Sequence, residues 1–209
     1  MFGIHDFGLF LTACVLLNLT PGPDTAYILA RTVSQGREAG IASALGICAG
    51  SIVHTCAAAL GLSAILVSSA TAFGLIKLLG GAYLIFLGAE MIIGRSKPSD
   101  RPLHFQRSTN AAAFRQGALT NILNPKVALF FLAFLPQFID AASATKVVAF
   151  LILGLSFVTT GTIWCLVLVW FASALSKRFQ TNAMIGRWVS GTAGALFIFL
   201  GNRLSTAKR

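Results

Sequence analysis

Two long apolar stretches of this chain are broken at proline. The first carries Asn18-Leu19-Thr20-Pro21-Gly22-Pro23-Asp24, the second Asn121-Ile122-Leu123-Asn124-Pro125-Lys126. Proline removes a helix hydrogen bond, and asparagine or aspartate in a hydrophobic run costs desolvation. In membrane proteins, a broken helix in each half typically builds a binding site from the freed backbone groups. The pattern predicts an all-α integral membrane protein with proline-broken first and fourth helices, and among such proteins it points to a small transporter.

Composition supports membrane embedding. Of the 209 residues, 56% are hydrophobic and 11% charged, and mean hydropathy is +0.81. A soluble domain carries about 25% charged residues, so this chain is too poor in charge to cover a water-exposed surface. The net charge of +10 would suggest nucleic acid in a soluble protein. Here the basic residues gather between apolar runs, where they set topology and meet anionic lipid. No aromatic-basic interleaving suggests a nucleic-acid partner. Cys14, Cys48, Cys56 and Cys165 sit singly in apolar runs and are read as small packing residues. No HxH, HExxH or carboxylate cluster suggests a metal. Neither a Walker loop nor a GxSxG elbow suggests an enzyme, and no cofactor is expected.

A span takes about 20 apolar residues. Six are expected, over 5–29, 39–67, 71–93, 113–138, 146–172 and 185–204. The first follows Asp6 with no basic segment and is expected to stay as a span rather than be cleaved as a signal. Basic residues sort by loop: Arg31 and Arg37 in the first, Arg95, Lys97, Arg101, Arg107 and Arg115 in the third, Lys177, Arg178 and Arg187 in the fifth. The positive-inside rule makes these loops cytoplasmic and both termini external. Arg203, Lys208 and Arg209 argue the other way, and a five-span variant would place the tail inside. Residues 81–88 (Gly-Ala-Tyr-Leu-Ile-Phe-Leu-Gly) resemble 194–201 (Gly-Ala-Leu-Phe-Ile-Phe-Leu-Gly). One transmembrane domain over 1–209 is expected, with inverted three-helix repeats 1–95 and 112–204 joined by a basic cytoplasmic loop, 96–111. Inverted repeats give two packings of similar energy, the basis of alternating access. Gly46 and Gly50 form a small-residue face for close helix contact.

Asp24 is the sharpest functional candidate, because a carboxylate inside a span is expensive and often functional. It can bind a proton or a substrate ammonium, or cap the helix that resumes after Pro23. Asn18, Asn121 and Asn124 can donate and accept in a polar pocket, or merely satisfy the broken backbone. Lys126 can meet a substrate carboxylate, meet Asp24, or snorkel to the interface. The helix starts after Pro23 and Pro125 offer N–H groups that suit a carboxylate. Pro21, Gly22, Pro23 and Pro125 shape the breaks. Together these parts suit an amino acid zwitterion. His54 is read as a polar packing partner. Lys77 and Glu90 are read as interfacial.

The chain resembles the LysE/RhtB superfamily of bacterial amino acid exporters, closest to the RhtB threonine/homoserine-type branch. The likeness rests on residues 18–24, on Gly36, Gly40, Gly46 and Gly50, and on Leu79-Gly80-Gly81-Ala82-Tyr83-Leu84 with Gly88. It continues through Phe114-Arg115-Gln116-Gly117, Asn121 to Lys126, and Pro136-Gln137-Phe138. It implies about six spans in the inner membrane, export of small amino acids, coupling to protons, and oligomers that are often dimers. The family's broken-helix motifs correspond here to Pro21, Gly22, Pro23 and Asp24, and to Asn124, Pro125 and Lys126. A neutral zwitterion fits the few buried charges better than a dication. Two rivals stand beside this reading: a transporter or channel for another small solute or metal cation, and a thiol redox or scaffold protein.

Overall fold

The computed structural model describes residues 2–62, 109–140 and 142–175, with isolated helical positions between 75 and 89. Helix α1 (Phe7–Leu19) is apolar on all sides, as suits a segment in lipid or in the core of a bundle. It stops at Thr20, which is extended because the residue before a proline is driven out of the helical region. Gly22 is also extended, and α2 (Pro23–Gln35) starts with Pro23 at its first position, where the missing N–H costs nothing. Gly36 ends α2 at φ 91°, a conformation that favours glycine. Helix α3 (Arg37–Ala57) continues through a π-helical turn (Ala58–Leu62), and this 26-residue stretch is long and apolar enough to span a bilayer.

The second break repeats this logic. Helix α4 (Asn110–Ile122) is capped by Thr109, whose hydroxyl accepts from Ala112 N at 3.2 Å. The helix stops before Asn124, and α5 (Pro125–Ala133) begins with Pro125 in first position. The chain bends by 50° between the two helical segments, Asn110–Ile122 and Pro125–Phe138. A 3₁₀ turn (Leu135–Phe138) and then the uninterrupted α6 (Lys146–Leu175) follow. Both expected breaks are therefore present, and the protein is all-α. Among the described residues the only extended pairing is a single antiparallel bridge, Ile4 with Ile139. The third and sixth expected spans, the paired texts at 81–88 and 194–201, most of the 96–111 loop, Lys77 and Glu90 lie outside the described residues, apart from the isolated positions.

Packing is tightest between α3 and α4. A Cβ at Gly46 would collide with the Phe114 carbonyl, one at Gly50 would lie 2.8 Å from the Ala118 oxygen, and one at Gly117 2.6 Å from the Ser43 oxygen. Glycine lets the two backbones meet directly, as small residues do in membrane helix pairs. Away from these contacts, Leu45, Ile52, Val53, Leu155, Ile163 and Trp170 are exposed. Such an apolar surface on long helices matches lipid.

Two apolar clusters result. One joins Phe10, Phe130, Phe131, Phe134, Phe138 and Phe157 with neighbouring alanines and leucines. The other joins Tyr27, Ile28, Ala44, Ile47, Cys165 and Val169. Arg31 departs from expectation. It lies in α2 rather than in a loop and is 2% exposed. The helix runs past Leu29 to Gln35 and carries the guanidinium against α4. There the Gln116 side-chain oxygen accepts from it, and its carbon lies 5.5 Å from the centre of the Tyr27 ring. Arginine tolerates such burial because its charge is delocalised and it can stack on an aromatic face.

Candidate functional site

A cavity of about 50 Å³ lies where the two broken helices meet α3 and α6. Leu17, Val127 and Phe157 reach it from the first apolar cluster, Ile47 and Cys165 from the second. Residues of both apolar clusters thus border it, with polar side chains among them. Of the residues singled out in the sequence, Asn18, Gly22, Asp24, Asn121, Asn124 and Lys126 line it. Pro21, Pro23 and Pro125 do not; they act by ending or starting the helices that carry the others.

Asn121 is the hub. Its side-chain nitrogen donates to Asp24 Oδ2 at 2.7 Å, and its side-chain oxygen accepts from Ser51 Oγ at 3.1 Å. Its backbone oxygen pairs with His54 Nε2 at 3.1 Å. Asp24 sits in the first turn of α2, where the helix dipole favours a carboxylate, but its side chain makes no cap. Its direction is set by Asn121, 97 positions later in the chain. Asn124 is the side chain that caps: its oxygen accepts from Lys126 N at 3.0 Å.

Lys126 reaches back to the first break. Its Nζ donates to the carbonyls of Leu17 and Thr20, both at 3.0 Å. These belong to the last turn of α1 and its C-cap, where the dipole end is negative; Leu17 O also accepts from Thr20 N at 3.2 Å, and Lys126 adds a second donor there. The cation of one break thereby closes the other. Asn18 donates to Thr160 Oγ1 of α6 at 3.2 Å.

Several cavity residues escaped the sequence reading: Ser51, Thr20, Thr25 and Trp164. Thr20 lies inside the first break motif and Thr25 directly after it, but neither was singled out; a lone serine or tryptophan in an apolar run is indistinguishable from packing. The cysteines also need revision. Cys48 and Cys165, single in sequence, line the same cavity, and Thr162 Oγ1 donates to Cys48 Sγ at 2.9 Å. They lie 117 positions apart in sequence, on α3 and α6, and share the cavity only because those helices pack. Both are free thiols.

These features define a class: a multi-pass, all-helical membrane protein with a buried polar pocket between two interrupted helices. Residues 15–208 match the LysE type translocator family, and the chain belongs to it. It is a translocator and not an enzyme. The chain is 30% identical to an uncharacterized membrane protein of Pseudomonas aeruginosa, covering 98% of this chain and 97% of that one. It is 26% identical to a leucine efflux protein of Klebsiella pneumoniae, again over 98% and 97%. It is 29% identical to the uncharacterized membrane protein YrhP of Bacillus subtilis, over 95% and 97%. No solved structure matches it significantly.

Proposed function

We propose that this protein is a secondary transporter of the bacterial inner membrane that exports small neutral amino acids or close derivatives in exchange for protons. One observation carries the reading: a carboxylate, Asp24, stands in the pocket at the junction of both breaks, held there by Asn121 of the other half. An intramembrane carboxylate that faces a cavity is suited to bind a proton and a substrate ammonium in alternation. Exchange follows when each conformation favours a different occupant. The pocket's remaining surface is largely apolar, supplied by Leu17, Ile47, Val127, Phe157 and Val158. It suits an uncharged side chain better than a second cation. The naming of several relatives as leucine efflux proteins supports the same class. The resemblance to the RhtB branch supports proton coupling and a dimer.

The test is counterflow in proteoliposomes loaded with labelled amino acids, with and without an imposed proton gradient. Gradient-sensitive efflux of neutral amino acids is expected. Asp24→Asn keeps the acceptor for Asn121 but removes the charge, and is expected to reduce coupled efflux at least about a hundredfold while leaving the protein folded. Unchanged efflux in that variant would remove Asp24 from the mechanism. No amino acid flux from folded wild-type protein, with flux of a metal cation instead, would favour the rival reading.

A further inference from the structure

Two buried polar atoms of cavity-lining residues have no hydrogen-bond partner: Asp24 Oδ1 and Trp164 Nε1. Buried polar groups are nearly always paired, so each exception needs a reason. The Asn124 amide lies beside Asp24 without a bond of normal geometry to Oδ1. The two orphans are opposite in kind. A carboxylate oxygen only accepts, and an indole N–H only donates. A free α-amino acid carries the complementary pair, an ammonium and a carboxylate.

Three other side chains at the cavity already spend donors elsewhere. Lys126 gives hydrogen bonds to Leu17 O and Thr20 O, and so serves the end of α1. The Asn121 amide is turned to Asp24, and the Asn18 amide to Thr160. Trp164 is on α6 and lines the same cavity as Asp24, so one ligand in that cavity could meet both. We propose that Trp164 is a specificity-determining residue: its Nε1–H receives the substrate's α-carboxylate while Asp24 Oδ1 receives the α-ammonium. The pocket then selects free α-amino acids over amines and amides. This rests on the transport reading above and adds to it the orientation of the substrate and the residue that reads its carboxylate.

The experiment uses the full chain in lipid nanodiscs. Binding is measured for alanine, threonine, homoserine and leucine, then for the amide of the tightest binder. Trp164→Phe keeps the aromatic body and removes the N–H. It is expected to weaken the free amino acid about tenfold, as befits loss of a hydrogen bond to a charged group, and to change the amide less than about twofold. An unchanged amino acid affinity, or equal weakening of both ligands, overturns the proposal; the second result would mark Trp164 as packing only. An independent measurement needs no Trp164 variant. In protein labelled with ¹⁵N-tryptophan and carrying Trp170→Phe and Trp188→Phe, the Trp164 indole resonance is expected to move downfield with the amino acid and stay in place with the amine that lacks its carboxylate. A resonance indifferent to the amino acid overturns the assignment. If the wild type binds none of the four amino acids, the transport reading itself fails, before any variant is made.

Discussion

At the scale of single residues, the two breaks are joined by two side chains that cross between them. Asn121 holds Asp24 and is held by Ser51; Lys126 holds the loose end of α1. Each is a polar group whose partners would be left unpaired if it were removed, and that is the expensive way to lose a hydrogen bond. Asn121→Leu strands Asp24 Oδ2 and the Ser51 hydroxyl together. It is expected to cost about 3 kcal/mol, read as a lower thermal midpoint in detergent. Ser51→Ala removes one neutral bond and should cost only about 1 kcal/mol. A midpoint for Asn121→Leu equal to that of Ser51→Ala would show that Asn121 does not organise the site. Lys126→Met removes the lysine's bonds to the Leu17 and Thr20 carbonyls, of which Leu17 O keeps its bond from Thr20 N, and is expected to cost about 2 kcal/mol. If that variant were as stable as wild type, closure of α1 by the lysine would be refuted.

At the scale of elements, backbone approach decides how α3 and α4 carry Ser51 and Asn121 into contact. The close contacts at Gly46 and Gly117 are with backbone atoms, which cannot swing aside as a side chain can, and that at Gly50 is with the Ala118 oxygen and the Asn121 side chain. Gly46→Ala is therefore expected to separate the helices, break the Ser51–Asn121 bond, and sharply lower the yield of folded protein and its transport. Gly8→Ala is the control. No neighbour lies within 4 Å of the added carbon, and alanine favours a helix over glycine, so yield and transport should match the wild type. Similar losses in both variants would mean that glycine is needed for some other reason than helix contact. The breaks themselves are element-scale features that local sequence explains: proline fixes where α2 and α5 begin, and the residues before it cannot remain helical.

At the scale of the whole molecule, the expected arrangement is six spans with both termini external, built from two inverted halves. Contacts between α2 and α4 tie those halves together away from the cavity: Tyr27 Oη donates to the Ala113 carbonyl at 2.9 Å, and Arg31 to Gln116. Alternating access between such halves requires contacts that form in one packing and release in the other. Topology is open to direct measurement. A periplasm-dependent phosphatase fused after Arg209 is expected to be active, and a fluorescent protein that folds only in the cytoplasm to be dark. The reverse pattern would support five spans, with the tail's three basic residues inside.

The sequence by itself determined the membrane class, the all-α fold, the two break points and the charged and amide residues beside them. These are local matters. Proline acts on its own turn, and a shortage of charge excludes a water-facing surface wherever the helices pack. Of the nine residues it singled out, six (Asn18, Gly22, Asp24, Asn121, Asn124 and Lys126) line the cavity; a polar group or a break in an apolar run stands out in one dimension, but that these meet was not legible there. Tertiary structure alone decided who meets whom. Lys126 serves the first break from the second, Asp24 takes its direction from Asn121, Cys48 and Cys165 come to line one cavity, and Arg31 is buried against α4 instead of lying in a loop. Trp164 and Ser51 joined the site for the same reason. Their membership depends on which face of α6 and α3 turns inward, and glycine contacts between helices far apart in sequence set that rotation.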